Sequence, residues 1–313
     1  MRAAVECNNL TKKFGSFTAV DDLSLNVSPG SVVGFLGPNG AGKSTSIRMM
    51  VGLSIPSAGT VRLFGADPRA QKTRECLGYV PGELRLDERP TVRETLASWG
   101  RLRSGVDPAY RDELIERLSV DPSKKVGSLS TGNRRKVALV GALMARPDLL
   151  ILDEPTSGLD PLVQHEFLTI LAEAASEGAT IFLSSHILSE VERIADSAVV
   201  IRTGEIVADG PIGDLRRGAA QEFRVAFSDR SPSDGELRRL EGCRGVEAEI
   251  PGEMRIEWVG PPGPLLELLS RYGITAITAP EPDLETAFLS YYSTPETKRT
   301  SSTQRRGGDP RES

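Results

Sequence analysis

Cysteine is scarce: the 313-residue chain has three, Cys7, Cys76 and Cys243, scattered and without C-x-x-C spacing. This excludes a disulfide scaffold and a thiolate zinc centre, and the three read as reduced thiols. Two histidines, His165 and His186, are too few for a histidine-rich metal site. There is no basic surplus. The formal net charge is -5, which argues against a dedicated nucleic-acid binder, so no nucleic-acid partner is expected. Long hydrophobic runs are missing too. The longest, VALVGALMA at 137–145, falls far short of the roughly 20 residues a bilayer span needs. The opening MRAAVECNNL lacks the apolar core of a signal peptide, so a cytosolic chain is expected. What is present is an ordinary soluble composition, 39% hydrophobic and 26% charged, in a chain long enough for one large domain and a small one.

The first sixty residues read as short strands around turns, AAVECNNLTKKF, FTAVDDLSLNV and SVVGFL, and the last of these runs into a glycine-rich loop and a helix from Lys43. GTVRLFG and CLGYVP follow as strands. From about Glu83 to Leu129 the pattern is helical, including the stretch LRLDERPTVRETLASW, in which Thr91 and Glu94 form a capping box, and DPAYRDELIERLSV. LSTGN, with Ser130 or Thr131 as cap, precedes a helix to Ala145. After the strand LLILDEP, Asp160 and Pro161 open another helix. ATIFLSS, ILSEVERIAD and SAVVIRTGEIVADG complete an alternation that predicts an α/β, doubly wound, mostly parallel sheet. Around Gly218 the organisation resets to β-α-β-β-α-β, a small α+β ferredoxin-like unit over 218–292 closed by the helix PDLETAFLSYY. The segment 293–313 is rich in Ser, Thr, Arg, Gly and Pro and reads as a disordered tail.

Residues 37–44, GPNGAGKS, fit G-x-x-x-x-G-K-[ST] between a strand and a helix. Phosphate groups need donors that approach closely, and glycines let backbone N–H groups reach them. The helix N-terminus adds a positive dipole end. Lys43 supplies a point charge and Ser44 an oxygen for Mg²⁺. Gly37, Pro38, Asn39, Gly40, Ala41, Gly42, Lys43, Ser44 and Thr45 are therefore the candidate ATP-binding set. The buried strand Leu149–Asp153 brings Asp153 toward that magnesium, through water, and Glu154 next to it is placed as general base.

At this point the chain resembles the ATP-binding subunits of ABC transporters. GPNGAGKST, LSTGN, LLILDEP, SGLD and the His186 of LSSHIL stand in the family's order over about residues 3–217. The resemblance implies an ABC-type ATPase fold over 1–217: a parallel-sheet core, an antiparallel β-subdomain and a helical subdomain. It implies head-to-tail dimers in which LSTGN faces ATP held by a second ATP-binding subunit, an identical copy or a similar one. Ser130, Thr131 and Gly132 then belong to the nucleotide contacts. Asp160 corresponds to the loop residue that crosses the interface, His186 to the switch histidine on the γ-phosphate and Phe14 to the aromatic under adenine. LRLDERPTVRETLASW falls where the family grips the cytoplasmic helix of its permease. ATP and Mg²⁺ are the implied cofactors, and the location is peripheral, on the cytoplasmic face of the cell membrane.

Two segments depart from the family's pattern, at three residues. Thr131 and Asn133 replace a glycine and a glutamine of the signature, which leaves binding intact and weakens the contact across the interface. Gly82 in YVPGE stands where a glutamine usually touches Mg²⁺. Glu83 beside it is either a replacement oxygen ligand or a solvated acid, with the metal left to Ser44 and water. The unit at 218–292 and YVPGE resemble the drug- and antibiotic-export branch, whose permease is a separate chain. An exporter ATPase for a drug, antibiotic or other hydrophobic compound is expected. The alternatives are a soluble ABC ATPase acting on ribosomes or DNA repair, which usually carries two nucleotide domains or a coiled-coil insertion, and a hydrolysis-poor regulator.

Overall fold

The computed structural model describes residues 2–103, 105–217, 220–250, 252–280, 285 and 288; at 217, 249 and 250 it describes backbone only. In chain order the elements begin with β1 (Val5–Phe14), β2 (Phe17–Val27), β3 (Val32–Leu36), α1 (Lys43–Met50), β4 (Ala58–Leu63), α2 (Gln71–Glu75) and β5 (Leu77–Val80). Next come α3 (Val92–Arg101), α4 (Pro108–Arg117), α5 (Thr131–Leu143), β6 (Leu149–Asp153), α6 (Pro161–Ser176), β7 (Thr180–Ser185) and α7 (Leu188–Ile194). Then follow β8 (Ser197–Arg202), β9 (Glu205–Pro211), α8 (Ile212–Arg217), β10 (Gln221–Phe227), α9 (Asp234–Arg238), β11 (Cys243–Ile250), β12 (Glu253–Trp258), α10 (Gly263–Leu269) and β13 (Ile274–Thr278).

The central sheet has the order β5-β6-β7-β3-β8-β9, parallel except for β9. Its inner strands are apolar almost throughout because both faces are covered, and successive side chains alternate between the two cores. Leu150, Leu152, Ile181 and Leu183 pack with helices α3 to α6. Leu149, Ile151, Phe182 and Phe35 face the other way, onto α1 and the antiparallel sheet β2-β1-β4. Phe35 and Phe182 meet there at 5.2 Å between ring centroids. The β-α-β-β-α-β segment forms a separate antiparallel sheet ordered β11-β12-β10-β13, the ferredoxin-like order, around Phe223, Val225, Ile256 and Trp258.

Local signals act where the sequence puts them. Thr91 and Glu94 close the capping box of α3, Ser130 caps α5, and Asp160 with Pro161 opens α6. One expectation is corrected: the stretch from Leu84 is not helical, and α3 starts only at Val92. Asp87 accepts from the Arg89 backbone N–H at 3.2 Å and grips its guanidinium. Pro90 then disfavours helical angles at Arg89. The short α2 had no signal in the pattern read above. Most of PDLETAFLSYY and all of 293–313 lie outside the described residues. Phe288, which is described, packs by Ile212 and Leu215.

Candidate functional site at the carboxyl ends of the parallel strands

β3, β5, β6 and β7 run parallel, so their carboxyl ends share one edge of the sheet, where open α/β folds place their ligands. From β3 the chain enters the glycine loop. Gly37 has no room for a side chain, since a Cβ would lie 2.6 Å from the Ile201 carbonyl oxygen. Gly42, at φ 110°, takes a left-handed conformation and sits equally close to the Ala19 carbonyl. Pro38, Asn39 and Gly40 are exposed, while Lys43 is 6% exposed. Its Nζ donates to the carbonyls of Gly37 at 2.5 Å and Pro38 at 3.3 Å and stands 3.3 Å from Glu154 Oε1. A buried ammonium is tolerable only with such partners. Ser44 and Thr45 follow in the first turn of α1.

Asp153 ends β6 and is 1% exposed. Ser184 Oγ donates to its Oδ1 at 2.7 Å and accepts from the Glu154 backbone N–H at 3.0 Å, so one hydroxyl fixes both acids. Glu154 is held at φ 48°, in the left-handed region that non-glycine residues rarely adopt. Its Oε2 lies 2.5 Å from His186 Nδ1. One carboxylate therefore bridges a buried lysine and a half-exposed histidine. Tyr79, just below, is pushed up to about 12, chiefly by burial and then by the charge of Asp153, and stays neutral.

The loop after β5 lies against this group. A Cβ on Gly82 would be 2.9 Å from Asp153 Oδ2, so a larger residue would crowd the acid in this conformation. Glu83 is exposed. Arg135, buried on α5, donates to the carbonyls of Pro81 at 2.9 Å and Gly82 at 2.7 Å. Burial lowers its proton affinity, and the charges of Asp153 and Glu154 oppose that.

The other residues picked from sequence lie elsewhere. Ser130 caps α5 by accepting from the Asn133 N–H at 3.3 Å, and Ser130 and Thr131 are exposed. Gly132 abuts the SGLD loop: a Cβ there would be 2.4 Å from the Gly158 carbonyl oxygen. Asp160 accepts from the Val163 N–H at 3.1 Å and lies 3.7 Å from Lys136 Nζ. The Val163 bond first, and Lys136 with it, holds its carboxyl below the usual range. Phe14 is an exposed ring at the end of β1, with Lys12 Nζ 5.1 Å from its centroid. His165 contacts Arg193 on the surface. Sequence reasoning missed Ser184, Arg135 and Lys136. Ser184 and Arg135 act through residues 31 and 53 or 54 positions away, which no local pattern reveals.

The residues fit a nucleotide triphosphate with a divalent ion. Left-handed glycines Gly40 and Gly42 open the loop backbone, and Lys43 is anchored on carbonyls that an anion would replace. No cluster of three or more His, Cys, Asp or Glu forms a metal cage among the described residues. Magnesium needs none, since one carboxylate, a hydroxyl, water and phosphate oxygens suffice. Ser44 and Asp153 supply the first two at this edge.

The sequence profile of the family described as ABC transporter matches residues 20–157. The Nod factor export ATP-binding protein I of Burkholderia lata is 36% identical over 296 residues, covering 92% of this chain and 96% of that protein. The bacitracin transport ATP-binding protein BcrA of Bacillus licheniformis is 33% identical, covering 92% and 97%. The solved structure of an ATP-binding subunit of an ABC transporter superposes with a TM-score of 0.63 at 32% identity, over 68% of this chain and 92% of that one. With a lysine loop, a paired acid and a histidine on one sheet edge and relatives along almost its whole length, the chain belongs to the ABC transporter family as an ATP-binding, ATP-hydrolysing subunit.

Proposed function

We propose that the chain energises export through a separate integral-membrane permease, with a drug, antibiotic or other hydrophobic compound as cargo. The names of its relatives, a Nod factor exporter and a bacitracin transporter, support export. Among the described residues no helix is long and apolar enough to cross a membrane, so the transmembrane path falls to the partner. In this reading the chain sits on the cytoplasmic face of the membrane. Residues 1–217 form the ATP-binding domain, 218–292 an accessory domain and 293–313 a tail.

The observation that carries the chemistry is the single Glu154 carboxylate shared by Lys43 and His186. Lys43 and the N–H groups of Gly37 and residues 39–45 bind the phosphates, Phe14 stacks on the base, and Ser44 and Asp153 would hold Mg²⁺, which would neutralise phosphate charge. Glu83, exposed beside Gly82, enters only if its loop turns inward. Glu154 takes the proton of the attacking water, and His186 passes from Glu154 to the γ-phosphate. Ser130, Thr131, Gly132 and Asp160 act across the interface of a head-to-tail dimer, with a second copy as partner. The test is steady-state hydrolysis and ATP binding by wild type and Glu154→Gln. Binding within twofold of wild type with hydrolysis lost is the expected result; an active Glu154→Gln removes the base from this account.

A further inference from the structure

A buried acid outside the site just described touches both loops that carry its catalytic pair. Glu190 on α7 is 6% exposed. Its Oε2 accepts from Thr156 Oγ1 at 2.8 Å and from Ser185 Oγ at 2.9 Å, and those two residues are 2% and 1% exposed. Thr156 follows Glu154 by two residues, and Ser185 immediately precedes His186. Ser185 Oγ also accepts from the Ile187 N–H at 2.9 Å, which tightens the turn around His186. Oε1 of Glu190 is buried with no hydrogen-bond partner among the described residues.

Burying a carboxylate that is only half satisfied is costly, and for stability alone an apolar side chain would serve better. The platform beneath it is rigid. Val191, the next residue, packs so closely on β3 that a Cβ on Gly34 would fall 2.2 Å from its Cγ1. α7 is thereby fixed to the strand that leads into the phosphate loop.

We infer that Glu190 is a positioning residue for hydrolysis: it ties the loops after β6 and β7 together and so sets the approach of Glu154 to His186. The inference rests on the catalytic pairing of Glu154 and His186 read above. Two hydroxyl-to-carboxylate bonds act as a strut between the loops. Without it each loop keeps its backbone but not its spacing from the other, and the base loses its aligned partner. Since a displacement of 1 Å can cost about 10²-fold in rate, a strut here is felt in turnover.

The test uses the full chain and has two readouts. The first is kcat, KM and the ATP dissociation constant. The second is the His186 ring C2–H resonance, easily isolated because the chain has only two histidines; Glu154→Gln shows how far that resonance moves when the pair is altered directly. Glu190→Ala should lower kcat at least tenfold, leave ATP affinity within twofold and shift the His186 resonance. Glu190→Gln should restore both, because one amide oxygen can accept both hydroxyls. Thr156→Val removes one arm of the strut and should lower kcat severalfold; it carries the test if Glu190→Ala does not fold. Folded Glu190→Ala, or Thr156→Val in its place, with wild-type kcat and an unmoved His186 resonance overturns the inference. If Glu154→Gln stays active, the general-base reading fails, while the His186 resonance still tells whether Glu190 sets the loop spacing.

Discussion

Two helices of this chain, α1 and α5, present N-termini that favour an anion, and they begin differently. α1 starts after Gly42 in a left-handed conformation, with no side-chain cap and with a buried lysine as its first residue. α5 starts after Ser130, whose hydroxyl takes the Asn133 N–H, and its first residue, Thr131, is exposed. A helix N-terminus has orphan donors and a positive dipole end, so both favour an anion. At α1 the chain itself supplies the rest of a site: Lys43, Asp153, Glu154 and His186. At α5 it supplies supports behind the first turn: Gly132 on Gly158, Lys136 near Asp160 and Arg135 on the carbonyls of Pro81 and Gly82. In the proposed function the first helix end binds ATP with residues of its own chain, while the second, braced from behind and exposed at Ser130 and Thr131, meets the ATP of a second chain.

Substitutions that strike one helix end and spare the other break this comparison. Lys43→Ala has the largest expected effect. It removes the buried cation, so hydrolysis should fall by about 10³ and ATP affinity by more than tenfold in an equilibrium binding assay, because preorganised charge on phosphate is worth roughly 10²–10³ in rate even before binding is counted. Glu154→Gln comes next, with an expected loss of about 10² in kcat and unchanged ATP affinity. Gly132→Ala at the other helix end should lower turnover about tenfold by pushing the Gly158 carbonyl, while binding of ATP to a single chain, read by calorimetry, stays as in wild type. Ser130→Ala is the mildest for the single chain. Loss of the cap should cost ~1 kcal/mol, a lowering of the melting temperature by a few degrees. If Gly132→Ala weakened ATP binding to the monomer as Lys43→Ala does, the distinction between the two ends would collapse.

Much of this was legible before any coordinates. The spacing of Gly37, Gly42, Lys43 and Ser44 requires a strand, a tight loop and a helix, and that is what forms. Capping residues Thr91, Ser130 and Asp160 are local signals whose partners lie three residues on, so sequence alone reaches them. The stretch from Leu84 misled because it runs straight into the helical spacing of Val92, Leu96 and Trp99, while Asp87 and Pro90 decide the backbone before it. Ser184, Arg135 and Glu190 were invisible for a different reason. Each acts by a hydrogen bond to a loop 30 or more positions away, and only the order of strands in the sheet brings those loops together. Gly82 shows both sides: its mismatch with the family is plain in the sequence, but its closeness to Asp153 needs the fold.

The most direct test of the two-ended account is the solution mass of Glu154→Gln, by light scattering, with and without ATP. Slowed hydrolysis should preserve any assembly that ATP bridges. The account predicts one chain without nucleotide and two with it, and a dimer about tenfold weaker when Gly132→Ala is added. A single chain at saturating, demonstrably bound ATP would contradict the claim that the α5 end is completed by a second copy.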